Sequence, residues 1–201
     1  MLKVGLTGSI AVGKSYVCEV FRELGAHVLD ADRTAREVVA RGSDGLKRIT
    51  DEFGPEVIGA DGGLDRPKMA SIVFADEKKR QLLNSIVHPL VRESQDIWLA
   101  AREAEDPDGI AIIDAALLIE SGGYRRLGKL IVVWCDPEVQ LERLKQRNGF
   151  DEAEARKRIS AQMPQEEKKR FADFLIETNG SFDDTRRRTI EVFDALKLLP
   201  R

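Results

Sequence analysis

Residues 8–15 of the chain are Gly8-Ser9-Ile10-Ala11-Val12-Gly13-Lys14-Ser15, which satisfy the pattern G-x-x-x-x-G-K-[ST]. Glycines let the backbone of such a loop wrap closely around phosphate oxygens, and successive N–H groups point inward at the anion. Lys14 is expected to reach the β- and γ-phosphates of a nucleoside triphosphate, and the Ser15 hydroxyl to coordinate Mg²⁺. The structural alternative is a glycine-rich turn that carries an incidental Lys-Ser pair.

An apolar strand and an amphipathic helix are predicted on either side of this loop. Residues 2–6 form a short apolar run, and apolar residues recur at helical spacing from 12 to 24 before Gly25 ends the pattern. The helix would present the positive end of its dipole to the bound anion, and this context favours a phosphate loop. The residues of this region predicted to bind ATP are Gly8, Ala11, Val12, Gly13, Lys14, Ser15 and Tyr16.

Further apolar runs are separated by helical segments and predict the rest of the fold. Continuous apolar runs are typical of parallel strands that are covered on both faces. The alternation predicts an α/β fold with a five-stranded parallel sheet, in the three-layer arrangement of P-loop proteins. The later strands are predicted at 27–30, 110–114, 130–135 and 174–176.

The middle of the chain is predicted to be a helical insertion at 43–107, placed within a nucleotide-binding core formed by 1–42 and 108–201. Glycines and prolines are frequent at 43–68, which predicts short pieces joined by turns. A helical section should follow at 69–105, interrupted at Pro89, because a proline disfavours helical geometry at the preceding His88.

Composition excludes several classes of protein. The chain has 201 residues, a formal net charge of −3 and 42% hydrophobic residues, which fits one domain without the basic excess of a general nucleic-acid binder. Its two cysteines, Cys18 and Cys135, are far apart, which predicts neither a disulfide nor a zinc site and favours a reducing cytoplasm. No apolar run approaches the ~18 residues of a membrane span. The basic runs at 168–170 and 186–188 are expected to be solvated helix faces.

Two carboxylates follow the second predicted strand directly, in Asp30-Ala31-Asp32. Ligands of an open parallel sheet bind beyond the carboxyl ends of its strands, so both aspartates are expected to face the phosphate loop from the neighbouring strand. A carboxylate there can accept the proton of an attacking hydroxyl group or orient it in line. Alternatively, Asp32 caps the next helix and pairs with Arg36 one turn later.

Other charged residues each allow a functional and a structural interpretation. Arg143 and Arg147 share one face of a predicted helix, where they either close over phosphates or form a solvated basic face. Arg66 either binds the molecule whose hydroxyl group would attack the phosphate, called the acceptor below, or makes a salt bridge at a helix start. His88 either lines the acceptor site or caps a helix. Asp114 either holds Mg²⁺ through water or makes a hydrogen bond at a helix entry.

Asp30-Ala31-Asp32 followed by Ala35-Arg36, read together with the phosphate loop, resembles the dephospho-coenzyme A kinases. The resemblance extends to about residue 180, and one difference is Ala116, where the family usually has a proline. Further matches occur in the same order along the chain: Leu64-Asp65-Arg66, Phe74, His88-Pro89, Leu117-Leu118-Ile119-Glu120, Gln140, Arg143, Arg147, Arg158, Gln162, Ala172-Asp173 and Asn179.

The resemblance implies transfer of the ATP γ-phosphoryl group to the ribose 3′-hydroxyl of dephospho-coenzyme A, with Mg²⁺. It implies Asp32 as the base, with Lys14 and Arg143 as the other catalytic residues. Arg147 and Asn179 would join Arg143 in binding ATP, under a lid formed by about 138–170. The acceptor would be bound by Asp32, Arg36, Arg66, His88 and Leu117.

Two other functions stay open at this level. One is another small-molecule or nucleoside monophosphate kinase, and the second is a nucleotide-dependent switch, although no N-K-x-D sequence of a GTPase occurs. We expect ATP and dephospho-coenzyme A as partners, no nucleic acid or membrane, and a cytoplasmic monomer or weak homo-oligomer.

Overall fold

The computed structural model describes residues 1–200 and divides them into two compact units. The sheet unit comprises Met1–Asp30 together with the chain from Ala101 onward, and the helical unit comprises Ala31–Ala100. The strands are β1 (Leu2–Thr7), β2 (His27–Asp30), β3 (Ile110–Asp114), β4 (Lys129–Trp134) and β5 (Phe174–Glu177). The helices are α1 (Lys14–Glu23), α2 (Ala31–Glu37), α3 (Asp44–Phe53), α4 (Arg66–Ala75), α5 (Glu77–Glu105), α6 (Pro137–Asn148), α7 (Glu152–Ser160), α8 (Gln165–Lys169) and α9 (Phe182–Lys197).

The sheet unit contains the predicted five-stranded parallel sheet, so the predicted fold class is confirmed. All five residues of β3 are buried, as expected of a central strand covered on both faces. One face packs against α1 and α9, whose buried side chains include Val17, Phe21, Val192 and Leu196. Burial of this continuous apolar surface positions the loop between β1 and α1 at the carboxyl edge of the sheet.

The strand order is β2-β3-β1-β4-β5, which corrects one prediction. Asp30 was expected on the strand next to the phosphate loop, but β3 lies between β2 and β1. The register places Leu6, Asp114 and Asp30 side by side on the three strands. The prediction failed because chain order does not fix strand order: a crossover can leave a gap that a later strand fills.

Helix α3 corrects the prediction that 43–68 consists only of short pieces. Ser43 caps this ten-residue helix by accepting a hydrogen bond from the Leu46 N–H at 3.1 Å. Gly45 lies inside the helix, and only glycine fits at this position, because a Cβ atom there would lie 2.1 Å from the carbonyl oxygen of Val38. The glycine therefore permits a close approach and does not break the chain. The remaining part does turn repeatedly, through a 3₁₀ turn at Pro55–Val57 and a bridge between Ile58 and Leu64.

The predicted interruption at Pro89 is wrong. Helix α5 has 29 residues and continues through that proline, and His88 is helical. Leu83, Ile86 and Val87 pack on one side of the turn before it, against the core of the helical unit. This tertiary packing outweighs the local cost of a helical proline, which is about 3 kcal/mol. Within residues 1–200, no helix combines the length and the apolar character needed to cross a bilayer.

The prediction that the basic run 168–170 is solvated is wrong for Lys168, because the Lys168 side chain is fully buried. Its Nζ lies 2.8 Å from Glu120 Oε1 and 2.8 Å from the carbonyl oxygen of Ala116. The Thr7 hydroxyl donates to the same carbonyl oxygen at 3.2 Å. The turn after β3 is therefore fixed by a buried lysine from α8 and a hydroxyl group from β1.

We expect Lys168→Ala to lower the free energy of unfolding by about 2–3 kcal/mol, because it leaves a cavity where a fully buried side chain stood and removes the hydrogen bond to the Ala116 carbonyl oxygen. Urea denaturation followed by circular dichroism measures the change. Lys157→Ala, at an exposed position of α7, is the matched control and should change stability by no more than about 0.5 kcal/mol. Equal losses in the two variants would contradict a structural role for the buried Lys168 side chain.

Candidate functional site

The phosphate loop has a backbone shape that its glycines and one alanine make possible. Gly13 adopts φ 84° directly before α1, and Ala11 at φ 62° is the one non-glycine residue within 1–200 with positive φ. A Cβ atom on Gly8 would lie 2.6 Å from the carbonyl oxygen of Val133, so only glycine fits there without displacement. The loop therefore wraps closely between β1, β4 and α1, as the sequence pattern requires.

Lys14 forms an ion pair with Asp114 at the end of β3. Both side chains are largely buried, with exposed fractions of 16% and 9%. Sequence reasoning considered Asp114 as a magnesium ligand or a helix-entry acceptor, and neither interpretation anticipated this contact. The signal available was its position after a strand, but only the sheet register shows which cation it meets. Asp114 thus holds the Lys14 ammonium group at the carboxyl edge of the sheet.

The two cysteines are free thiols, and both are buried. Burial raises the pKa of Cys18 strongly, and the neighbouring carboxylate of Asp114 raises it further. Burial also raises the pKa of Cys135. Both side chains therefore stay protonated at neutral pH, which makes them poor nucleophiles.

Arg143 is connected to the phosphate loop through Thr178, a residue that sequence reasoning missed. The Arg143 guanidinium group donates to Thr178 Oγ1 at 3.0 Å and to the carbonyl oxygen of Thr178 at 2.6 Å. The Thr178 hydroxyl donates in turn to the carbonyl oxygen of Val12 at 2.8 Å. The available signal was the position of Thr178 directly after β5. Arg147 is exposed, and its Nε donates to Asn148, so the structure does not bring the two arginines to a common contact.

Asn179 and Tyr16 shape the surface near the start of α1. The Asn179 amide accepts from the Asp136 N–H at 2.6 Å and donates to Glu177 at 3.0 Å. The Tyr16 ring packs edge-on against Phe182, with 4.7 Å between ring centroids. Asn179 therefore fixes the turn that joins β5 to α9, and Tyr16 contacts the first residue of that helix.

The predicted acceptor residues lie in both units. Asp32 and Arg36 are exposed on α2, and Arg66 is exposed at the start of α4. Arg66 Nη2 lies 3.4 Å from the carbonyl oxygen of Arg36, which brings these two residues together. His88 is exposed on α5 of the same unit. In the sheet unit, the Leu117 side chain is 49% exposed after β3.

The side chains around the phosphate loop include few groups that could bind a metal ion. Across residues 1–200, no group of three or more His, Cys, Asp or Glu side chains is placed to hold a metal ion. Oxygen atoms that could take part include the exposed Ser15 hydroxyl and the carboxylate of Asp114, which contacts Lys14; Asp30 stands beside Asp114 in the sheet register. These are the hard oxygen ligands that magnesium prefers together with substrate phosphates.

The parallel sheet, the loop with its inward curvature and the lysine at the start of α1 define a P-loop nucleotide-binding fold. The dephospho-CoA kinase family model matches residues 2–184. A dephospho-CoA kinase from Geobacillus kaustophilus is 45% identical over 201 residues, covering 98% of each chain. The chain therefore belongs to the dephospho-CoA kinase family.

Two solved structures extend the comparison to three dimensions. The protein TT1252 from Thermus thermophilus is similar with a TM-score of 0.86 and 32% identity, covering 99% of this chain and 98% of that one. A dephospho-CoA kinase from Campylobacter jejuni is similar with a TM-score of 0.70 and 28% identity, covering 96% of both chains. The similarity therefore extends over nearly the whole length of the chain.

We expect Gly8→Ala to weaken ATP binding at least about tenfold, because the new methyl group forces the loop away from β4. Calorimetric titration of ATP measures the change. Gly128→Ala is the matched control, since a Cβ atom there meets its nearest neighbours at 3.4 and 3.6 Å, which are ordinary contact distances. Unchanged affinity in Gly8→Ala would contradict the close approach as a requirement of the site.

Proposed function

We propose that Asp32, Lys14 and Arg143 carry out, in this kinase, the reaction that its family name describes. The reaction is transfer of the γ-phosphoryl group of ATP to the ribose 3′-hydroxyl of dephospho-coenzyme A, which yields coenzyme A and ADP and completes coenzyme A biosynthesis. The observation that carries the proposal is a phosphate loop of the required shape inside a chain whose residues 2–184 match the family.

Lys14 is proposed to hold the β- and γ-phosphates. An ammonium group has three N–H donors, so Lys14 can contact Asp114 and phosphate oxygens together. The Asp114 carboxylate holds the ammonium group at the loop before phosphate arrives, which reduces the reorganisation needed for binding. Lys14 would then stabilise negative charge as it spreads over the transferred group.

Asp32 is proposed as the base that accepts the proton of the attacking hydroxyl group. Its side chain is exposed in the first turn of α2, so an acceptor hydroxyl can reach the carboxylate from solvent. The alternative role as a helix cap is weakened, because α2 already begins at Ala31. Proton transfer of this kind contributes about 10²- to 10⁴-fold in rate.

Magnesium is proposed to bind with ATP through the Ser15 hydroxyl, with the Asp114 and Asp30 carboxylates nearby in the sheet register. When bound, it neutralises charge on the β- and γ-phosphates. The chain's own contribution is to hold these oxygen atoms at the carboxyl edge of the sheet and to place Lys14 beside them.

The acceptor is proposed to bind to the helical unit through Arg36, Arg66 and His88. Leu117 is proposed separately as an acceptor-binding residue of the sheet unit. A guanidinium group can donate two parallel N–H···O hydrogen bonds to phosphate oxygens, and dephospho-coenzyme A carries a pyrophosphate group. The contact between Arg66 and the backbone of Arg36 supports a shared site. The predicted insertion 43–107, with core segments 1–42 and 108–201, stays our proposal for the functional division.

The lid is proposed to comprise about 138–170, which holds α6, α7 and α8. Arg143 would stabilise transferred charge from its fixed place on Thr178, while Arg147 and Asn179 would contact ATP. Lid closure would exclude water and so prevent wasteful hydrolysis of ATP. A cytoplasmic location and a monomer or weak homo-oligomer, without nucleic acid or membrane partners, stay predictions.

We expect dephospho-coenzyme A to drive ADP release better than AMP, a nucleoside or a sugar acid. A coupled assay over this panel of acceptors, with the product mass measured, tests the proposal. Faster ADP release with another acceptor would indicate a different small-molecule kinase. Slow hydrolysis without a phosphorylated acceptor would indicate a switch, and both results contradict the proposed function.

We expect Asp32→Asn to lower kcat by about 10²- to 10⁴-fold, because an amide cannot accept the proton. The KM for ATP should stay within about twofold, since the loop contacts are unchanged. Steady-state kinetics measures both constants. Asp183→Asn, at an exposed position in the first turn of α9, is the matched control and should keep full activity. Equal kcat values in wild type and Asp32→Asn would contradict the assignment.

A further inference from the structure

Both polar backbone groups of Ile10, at the tip of the phosphate loop, are bound by glutamine side chains from outside the loop. The Ile10 N–H donates to Gln162 Oε1 at 2.8 Å, and the Ile10 carbonyl oxygen accepts from Gln140 Nε2 at 2.8 Å. Gln140 lies on α6, and Gln162 lies between α7 and α8. The two peptide groups that flank Ile10, Ser9–Ile10 and Ile10–Ala11, are therefore each held by a glutamine from the proposed lid region.

Gln140 is itself fixed by a third glutamine. Its side chain is buried, with 2% exposed, and its Oε1 accepts from Gln165 Nε2 at 2.7 Å. Gln165 Oε1 accepts in turn from the Cys135 N–H at the end of β4, at 3.1 Å. The contacts of Gln140 and Gln162 with Ile10, called the clamp below, are thus anchored to the sheet. Gln140 uses both the nitrogen and the oxygen of its amide group.

Apolar contacts hold the same part of the loop. The side chains of Ile10 and Ala11 pack against a cluster formed by α6 and α7, with Leu141, Leu144 and Ala155 at its centre. The loop tip is therefore attached to these helices by its side chains and by its backbone. Movement of the tip away from this place would break two hydrogen bonds and expose apolar surface.

The residue next to the clamp has an unfavourable backbone conformation. Ala11 lies at φ 62°, where the Cβ atom of an L-residue crowds the following carbonyl group. The crowding lowers the population of this conformation by about 5- to 30-fold relative to a relaxed alanine. Some other interaction must hold Ala11 there, and the two fixed peptide groups on either side of Ile10 lie directly before it.

We propose that Gln140 and Gln162 are positioning residues for ATP, which keep Ala11 in the left-handed conformation and so aim the following N–H groups at the phosphates. The Ile10 N–H is already used by Gln162, so the donors for phosphate come from later residues of the loop. The inference rests on the proposed function, because it concerns the ATP site of that reaction.

The clamp has a consequence for affinity. A loop that occupies its binding conformation only part of the time has a weaker apparent affinity. The apparent Kd equals the intrinsic Kd divided by the fraction of molecules in the binding conformation. The glutamines would raise that fraction without touching ATP, and they would do so only because Ala11 is strained. Glycine populates positive φ about as readily as negative φ, so a loop with glycine at position 11 depends less on the clamp.

The test is a pair of substitutions measured in two backgrounds. We expect Gln162→Leu to weaken ATP binding by about 5- to 30-fold in titration calorimetry and to raise the KM for ATP equally. The KM for dephospho-coenzyme A should stay within about twofold. In an Ala11→Gly background, the same substitution should weaken ATP binding by less than about threefold.

Two further variants control for unfolding and for the loss of any glutamine. Gln81→Leu, at an exposed position of α5 outside the proposed lid, should change neither ATP affinity nor Tm. Gln162→Met keeps the length and flexibility of the side chain without the amide, and it replaces Gln162→Leu if the latter fails to fold. Thermal melts establish that the variants compared are folded.

Unchanged ATP affinity in the Gln162 variants would overturn the inference. So would an equal loss in the alanine and glycine backgrounds, or a lower Tm without a selective effect on ATP, because each indicates a purely structural contact. Failure of the unaltered chain to bind ATP would instead overturn the proposed function, so the two failures are distinguishable.

Discussion

The tight turn from β1 into α1 is the constraint on which the rest of the sheet unit depends. Its backbone passes so close to β4 that position 8 has no room for a side chain. It then takes positive φ at Ala11 and at Gly13 before the helix begins. An anion nest needs this curvature, since its N–H groups must converge on one point. The surrounding elements hold a shape that the loop alone would not keep.

Several buried polar side chains supply that support, each from a different element. Asp114 from β3 holds Lys14, and Thr178 after β5 holds the carbonyl group of Val12. Lys168 from α8 holds the turn at Ala116, next to the end of β1. Buried polar groups are costly unless they are paired, and in pairs they specify a single arrangement. The carboxyl edge of the sheet is thus a preorganised polar surface.

Local sequence patterns predicted the architecture well where one physical rule dominated. Continuous apolar runs predicted β3 and β4, because both faces of a central parallel strand are buried, and shorter runs predicted the other three strands. The rules failed where packing opposed local preference. Pro89 does not end α5, and Gly45 lies within α3, because each site gains more from its tertiary contacts than it loses locally. The charge pattern at 168–170 also failed to predict that Lys168 is buried, since a pattern of charges does not reveal which side chain the tertiary structure encloses.

The sequence by itself determined the phosphate loop, the parallel sheet and the family, since each follows from residue types at fixed spacing along the chain. Tertiary structure alone decided the strand order and therefore that Asp114, and not Asp30, lies on the strand beside β1. It also decided that Arg143 binds Thr178 and that glutamines hold Ile10. The physical reason is that these partners lie far apart in the chain, and only the packing of the sheet and its helices sets which of them meet.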